Sequence, residues 1–395
     1  PSGGGADEGL VRMKTSCHGC IQMCPAIAYL KDGVVVKLEG DPDAPVSRGS
    51  LCIKGLNQLH TMYSPRRVLH PLRRAGERGE NKWEVISWDE AVEEAATHIC
   101  DAIDKYGPYS FFASVGGGGA YSFMEAMTLP MAFGSPTVFE PGCAQCYLPR
   151  WSMSKLFYGG NDQSIADNAV QEIFRPDPDN KAEVVVLWGA QPSVSQTAES
   201  GRGMAELRAK GVKTIVVDPN FSPDAVKADV WLPVIPGKDA ELAFAMMSWI
   251  IANERYDAAY LSAPSKKAAA ALGEPTWSDA THLVAVDLPN RPIVTAKVLG
   301  RAGEAGANGE ALADDARFVL VDGELTLADA AEGAADLLVD AEIDIKGKPA
   351  RVKSVFQLLK ERVEERTLGG VRRRCGYRSP PWWKRWRASS RRTAN

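Results

Sequence analysis

Glu183-Val184-Val185-Val186-Leu187-Trp188-Gly189, then a helical stretch at 204–210, then Lys213-Thr214-Ile215-Val216-Val217-Asp218-Pro219, read as strand, helix, strand. An unbroken apolar run of this length suits a strand of a parallel sheet covered on both faces. A third short strand, Val230-Trp231-Leu232-Pro233-Val234, runs into Pro236-Gly237-Lys238-Asp239. Glycine or an acid follows each strand, and doubly wound sheets shape nucleotide pockets with such residues at their carboxyl edges. The pattern predicts an α/β fold built on a doubly wound parallel sheet. A Gly-x-Gly-x-x-Gly fingerprint is absent, so a simple NAD site is not supported.

Toward the amino terminus the chain changes character. Residues 10–62 alternate short β signals with turns, among them the strand Gly33-Val34-Val35-Val36-Lys37-Leu38-Glu39-Gly40-Asp41. Four cysteines fall on the loops of this small β-rich module. Cys17, Cys20 and Cys24 form a C-x2-C-x3-C run, and Cys52 stands alone in Leu51-Cys52-Ile53-Lys54-Gly55. Three local thiolates plus one distant thiolate can hold the four corners of a [4Fe–4S] cube. Structural zinc sites are built instead from two C-x2-C pairs around one tetrahedral ion. Disulfides between cysteines this close would strain the short loops. A buried cluster moves electrons, so redox chemistry is the leading expectation. His18, beside the first cysteines, is read as a capping residue, with tuning of the cluster as the other role.

Between these regions, Ser87 as N-cap and Glu90 at the capping-box position open a long helix. Its apolar face is Ala91, Ala95, Ile99 and Ile103, with Cys100 as a packed core thiol, and it stops at Tyr106-Gly107-Pro108. A buried strand at 111–115 leads into Gly116-Gly117-Gly118-Gly119, which with Tyr121 could line a substrate funnel or form a plain loop. Downstream, 301–350 is rich in Ala, Asp and Gly and reads as a variable surface region with a hairpin at 319–325. Residues 352–365 read as an amphipathic helix. From 366 to 395 there is no Asp or Glu, and Arg and Trp crowd the sequence. We read this tail as disordered and translated out of frame from near Thr367; a basic, aromatic surface tail is the other reading.

Composition narrows the function classes. The chain has 395 residues, 45% hydrophobic and 24% charged, enough for a sizeable core and two or three domains. A formal charge of −4 argues against a nucleic-acid partner. The best apolar run, 242–251, is too short to span a bilayer and is interrupted by Ser248. The opening Pro1-Ser2-Gly3-Gly4-Gly5 reads as a processed or trimmed end. It fits an extracytoplasmic location after signal removal as well as a cytoplasmic one.

The cysteine motif, Cys52-Ile53-Lys54-Gly55, Trp83-Glu84-Val85-Ile86-Ser87-Trp88-Asp89-Glu90-Ala91, Trp188-Gly189-Ala190-Gln191-Pro192, Asp218-Pro219-Asn220 and Pro236-Gly237-Lys238-Asp239-Ala240 occur in a fixed order. That series resembles the molybdopterin oxidoreductases of the dimethyl sulfoxide reductase family, over about 12–365. The chain looks most similar to the branch of thiosulfate-reductase-like enzymes, acetylene hydratase, pyrogallol hydroxytransferase and catechol dehydroxylases. The resemblance implies molybdenum or tungsten on a bis-molybdopterin guanine dinucleotide, alongside the [4Fe–4S] cluster. Lys54 matches the family lysine between cluster and pterin. Cys146, followed by Tyr147 and Pro149-Arg150, matches the metal ligand, with Cys143 as the alternative; a soft thiolate suits either metal. Alone, Cys143-x2-Cys146 could equally be a redox dithiol.

The same resemblance gives Gly189, Gln191, Asp218, Asn220, Gly237 and Asp239 to the guanine dinucleotide, although each alone could be a turn residue. Lys238 stands where the family has threonine. Ile21 replaces the carboxylate of the acetylene hydratase branch, which argues against acetylene hydration. The implied organisation is a cluster module at 1–65, the first part of α/β domain II at 66–140, a Rossmann-like pterin-guanine-dinucleotide domain at 141–300, a variable α/β segment at 301–365 and the tail at 366–395. The family's C-terminal barrel is missing, so the chain is read as truncated. The implied activity is oxygen or hydroxyl removal or transfer on a small-molecule substrate, with reductive dehydroxylation of a catechol as the specific expectation. A non-redox hydratase or hydroxytransferase and a non-catalytic iron–sulfur fragment are the alternatives. The implied partners are a membrane anchor and a ferredoxin-like electron-transfer subunit.

Overall fold

The computed structural model describes residues 9–20, 22–45, 47–114, 127–139, 147–158, 182–306 and 309–365. The chain divides into two compact units, Pro1–Pro233 and Val234–Asn395. The tail at 366–395 and the stretches holding Ile21, Gly116–Gly119, Tyr121, Cys143 and Cys146 lie outside the described residues.

The first unit begins with an antiparallel sheet of β1 (Val11–Ser16), β2 (Pro25–Lys31) and β3 (Val34–Gly40), with β2 central. Burial in this sheet is concentrated in β2, at Ala26, Ile27, Ala28 and Tyr29. Two short helices follow, α1 (Ile53–Leu56) and α2 (Gln58–Met62). Tyr63 ties them to the sheet by accepting the Val35 amide at 2.8 Å.

The hairpin of β4 (Leu72–Arg74) and β5 (Trp83–Val85) leads into α3 (Trp88–Tyr106). The expected capping box is present: the Ser87 hydroxyl accepts the Glu90 amide, and the Glu90 carboxylate accepts the Ser87 amide. The helix length is as predicted, but its apolar face is not covered by the described residues, and Cys100 is exposed rather than packed. Of the expected strand at 111–115, residues 113–114 form β6 (Ala113–Ser114), parallel to β7 (Val138–Phe139). Residues 111–112 precede it, Phe112 is exposed, and residue 115 lies outside the described residues. Helix α4 covers Tyr147–Tyr158.

The stretch that decides the fold class forms a parallel sheet in the order β10-β9-β8, with β8 at Val184–Trp188, β9 at Lys213–Val217 and β10 at Val230–Leu232. Between β8 and β9 lie α5 (Pro192–Ser195), a π-turn at Thr197–Gly201 and α6 (Arg202–Ala209). Helix α7 (Pro223–Val226) precedes β10. Met204 and Leu207 of α6 pack on Val185, Leu187 and Val216. Val184 and Val186 are exposed. Among the described residues this sheet is therefore covered on one face, not on both as its apolar run implied.

The second unit carries helix α8 (Asp239–Ala252), helix α9 (Lys266–Leu272) and an antiparallel sheet in the order β11-β15-β14. Its strands are β11 (Leu283–Ala285), β14 (Asp340–Ile345) and β15 (Lys348–Ser354). The hairpin of β12 (Phe318–Val321) and β13 (Glu324–Leu327) lies where the sequence places one. Leu283, Val294, Phe318, Leu320, Val339, Ile345 and Val352 share one core. Residues 301–350 thus supply core strands rather than surface alone. Helix α10 (Val355–Glu364) starts three residues later than expected, because Ser354 ends β15 and caps the helix by accepting the Gln357 amide. Val352, read as the first helical residue, is a buried strand position instead.

Candidate cluster and nucleotide site

Cys17 directly follows β1, and Cys24 directly precedes β2. The intervening loop is closed at its neck by the Cys17 amide donating to the Cys24 carbonyl at 2.9 Å. Met23 takes a left-handed backbone with φ of 45°, which turns the loop back on itself. The Gly19 amide donates to Cys17 Sγ at 3.3 Å. Cys52 sits at the N-cap of α1. Cys17, Cys24 and Cys52 pack together with Leu51 and Ala198. Cys17 and Cys24 are buried, whereas Cys20 and Cys52 are partly exposed, and all four are free thiols. The structure therefore brings the three-plus-one set into one neighbourhood.

These residues fit a cluster. Burial pushes the Cys24 thiol up to about 12, reinforced by the nearby Glu199 carboxylate and by Cys20, Cys17 and Cys52. Such a group ionises only when a cationic centre compensates it, and metal ligation does that. The backbone is shaped around the Cys17 sulfur as well. A Cβ at Gly19 would lie 3.4 Å from it, and one at Gly55 would lie 3.2 Å from it and 2.6 Å from the Leu51 side chain. Among the described residues no three His, Cys, Asp or Glu converge to hold a single ion. A cube offers each thiolate its own iron and does not require that convergence.

The 191–202 segment connects this cage to the parallel sheet. Lys54, the second residue of α1, donates from Nζ to the Ser195 carbonyl at 2.6 Å. The π-turn after Ser195 buries Ala198, Glu199 and Ser200. π-turns widen a helix by one residue and recur at functional sites. Glu199, 9% exposed, takes a hydrogen bond from the Cys24 thiol, while burial raises its carboxyl above the usual range. No feature of the sequence points to Glu199: the segment has no clear periodicity, and only the π-turn swings it inward. His18 is exposed, with Nε2 3.4 Å from the Ser16 hydroxyl.

At the carboxyl ends of β8 and β9 the expected polar residues meet. Gln191 Nε2 donates to Asp218 Oδ2 at 3.2 Å, and the Asn220 amide donates to Asp218 Oδ1 at 2.8 Å. Asp218 is 4% exposed, and its carbonyl accepts the Trp231 indole N–H at 2.9 Å. Gly189 turns the chain out of β8 with φ of 61°. Beneath them, Asp224, fully buried, accepts from the Ser193 amide and hydroxyl and from Arg208, which fixes α5 on the sheet edge. Gly237 and Asp239 belong to the second unit, where Asp239 opens α8.

Comparison with known proteins gives the family. The sequence matches the molybdopterin oxidoreductase Fe4S4 domain over residues 11–64 and the molybdopterin oxidoreductase family over residues 67–332. It is 29% identical to a tetrathionate reductase chain of Salmonella typhimurium, across 92% of this chain and 40% of that one. It is 28% identical to dopamine dehydroxylase of Eggerthella lenta, across 70% of this chain and 25% of that one. Among solved structures, acetylene hydratase from Pelobacter acetylenicus aligns with a TM-score of 0.49 at 27% identity, covering 62% of this chain and 32% of the other. The chain thus spans less than half the length of each of these relatives. Two family models account for nearly the whole stretch from the start of β1 to residue 332, and the protein belongs to the molybdopterin oxidoreductases, with a [4Fe–4S] domain preceding the domain that takes the molybdopterin cofactor and its molybdenum or tungsten.

Proposed function

We propose that this chain is the cluster-bearing part of an oxidoreductase's catalytic polypeptide, one that passes electrons through a [4Fe–4S] cube on Cys17, Cys20, Cys24 and Cys52 toward a molybdenum or tungsten ion. The observation that carries the reading is the Lys54 to Ser195 hydrogen bond, which ties the cysteine cage to the segment leaving β8. When bound, the pterin-held metal supplies oxygen-atom and hydroxyl chemistry, and the cube supplies one-electron relay. Lys54 keeps a cation beside the cube and so favours its reduced, more negative state. Gly189 lets the backbone approach a ligand closely, and Gln191, Asp218 and Asn220 present amide and carboxylate groups to a guanine nucleotide. Cys146, with Cys143 as the alternative, is assigned as the thiolate on the metal.

For substrate we infer a small phenolic molecule of the catechol type. Its reductive dehydroxylation consumes two electrons and two protons, replaces a ring C–O bond by C–H, and releases water. The relative named dopamine dehydroxylase supports this choice, and those named tetrathionate reductase and thiosulfate reductase support a sulfur oxyanion as the second reading. A membrane anchor and a ferredoxin-like subunit are the proposed electron-transfer partners. The test is anaerobic purification of the full chain, with analysis for iron, sulfide, molybdenum, tungsten and GMP released from the cofactor by acid. Iron and sulfide together with GMP and either metal are expected. Iron and sulfide without GMP would reduce the chain to an electron-relay fragment, and zinc without iron would end the proposal.

A further inference from the structure

Three of the cluster cysteines share one short loop that closes on itself, but the fourth arrives separately. Cys52 follows the turn at 47–50, and that turn has an unusual backbone. Arg48 and Gly49 both take left-handed conformations, with φ of 43° and 78°. An arginine in that region is strained and persists only where its surroundings hold it. The turn is fastened by the Arg48 amide on the Ala44 carbonyl at 3.0 Å and the Gly49 amide on the Asp41 carbonyl at 2.8 Å. Two of its carbonyls, those of Ser47 and Arg48, face Arg202, the first residue of α6. Arg202 Nη1 donates to the Ser47 carbonyl at 3.0 Å, the Arg48 carbonyl at 3.3 Å and the Ser50 hydroxyl at 3.3 Å. Its Nε donates to Glu206 at 2.9 Å, which fixes the plane of the guanidinium.

We propose that Arg202 is a positioning residue for the cluster: by clamping the 47–50 turn it holds Cys52 at the fourth corner of the cube. The proposal rests on the [4Fe–4S] reading above. Arginine suits this position better than lysine. Its planar fork engages Glu206 through one nitrogen and the turn through another, whereas lysine is a single point donor. Groups one step removed from a ligand commonly change metal retention by about tenfold or more when they are lost.

The proposal makes a site-specific prediction, because misplacing Cys52 frees one iron and leaves the other three in place. The cube then divides as [4Fe–4S]2+ to Fe2+ plus [3Fe–4S]0. Added ferricyanide takes one electron from the product to give [3Fe–4S]+, which is visible by electron paramagnetic resonance, and becomes ferrocyanide. We would prepare the full chain anaerobically as wild type, Arg202→Ala, Arg202→Lys and Cys52→Ser, then follow iron loss to a chelator and the three-iron signal. Arg202→Ala should lose the first iron about tenfold faster than wild type, with a three-iron signal matching that of Cys52→Ser. Arg202→Lys, which keeps the charge and carries the test if the alanine variant does not fold, should fall between. Wild-type rates in both variants would overturn the proposal, as would simultaneous loss of all iron and sulfide with no three-iron signal. A wild-type chain without iron would instead sink the cluster reading itself.

Discussion

Lys54 Nζ and the Ser195 carbonyl meet at 2.6 Å across 141 residues of sequence. One partner lies two residues past a cluster cysteine, and the other ends the helix that starts at the carboxyl edge of the parallel sheet. In the proposed relay, removing the ammonium would remove a cation that stabilises the reduced cube. Lys54→Met should therefore lower the cluster potential by tens of millivolts, where about 59 mV is tenfold for one electron. Redox titration followed by electron paramagnetic resonance measures this directly. An unchanged potential would leave Lys54 as a structural latch only.

Gly40 closes β3 against the turn that leads to Cys52. A Cβ at this position would stand 2.5 Å from the Gly49 carbonyl carbon and 2.9 Å from that of Ser50. Both are backbone atoms that cannot rotate aside. Gly40→Ala should cost on the order of 1–3 kcal/mol in overpacking, concentrated on the turn, so iron per chain should fall while the parallel sheet keeps its circular dichroism. Full iron content in this variant would show that the turn has slack.

The parallel sheet and the cysteine set are legible in the sequence for different reasons. Val184–Trp188 and Lys213–Val217 are short β-branched runs ending in Gly and Asp-Pro, so local chemistry alone fixes their type. The cysteines declare themselves by spacing. Ser87 and Glu90 announce α3 equally directly. The features that do not show in the sequence are those set by tertiary context. Nothing local says that 197–201 will widen into a π-turn and bury Glu199 beside Cys24. Residues 352–354 have helical spacing with the segment after them, yet pairing with β11 and β14 recruits them into a strand. Amphipathic spacing points Cys100 toward a core, but periodicity specifies a face without specifying what covers it.

Asp224 is the anchor most sensitive to loss. It is fully buried, it receives two hydrogen bonds from Ser193 and one from Arg208 Nη2, and the buried Arg208 Nε has no hydrogen-bond partner among the described residues. Asp224→Ala strands a guanidinium and the first amides of α5. Breaking a buried pair from one side costs about 3–5 kcal/mol. The urea midpoint of the full chain should drop accordingly, and Arg208→Ala in the same background should restore part of it.

The second unit should show its own acid sensitivity through His282. This side chain is 1% exposed, with Nε2 3.2 Å from the Pro264 carbonyl and Nδ1 3.3 Å from an Arg317 nitrogen. Those partners require the neutral tautomer that donates from Nε2 and accepts at Nδ1. Burial lowers its pKa below the ordinary 6.5, Arg317 lowers it further, and the Pro264 carbonyl opposes both. In the unfolded chain the ring titrates near its ordinary value, so below about pH 6.5 the unfolded state binds a proton that the folded state refuses. The stabilisation from a neutral His282 is therefore complete above that pH and is lost as pH falls toward the lower, folded value. One such proton gives a slope of up to about 1.4 kcal/mol per pH unit. Urea unfolding measured from pH 7 to pH 5 should show that slope in wild type, and it should be shallower in His282→Gln, which carries no titrating ring. Equal slopes in the two proteins would assign the acid sensitivity to carboxylates and leave the buried imidazole without a part in it.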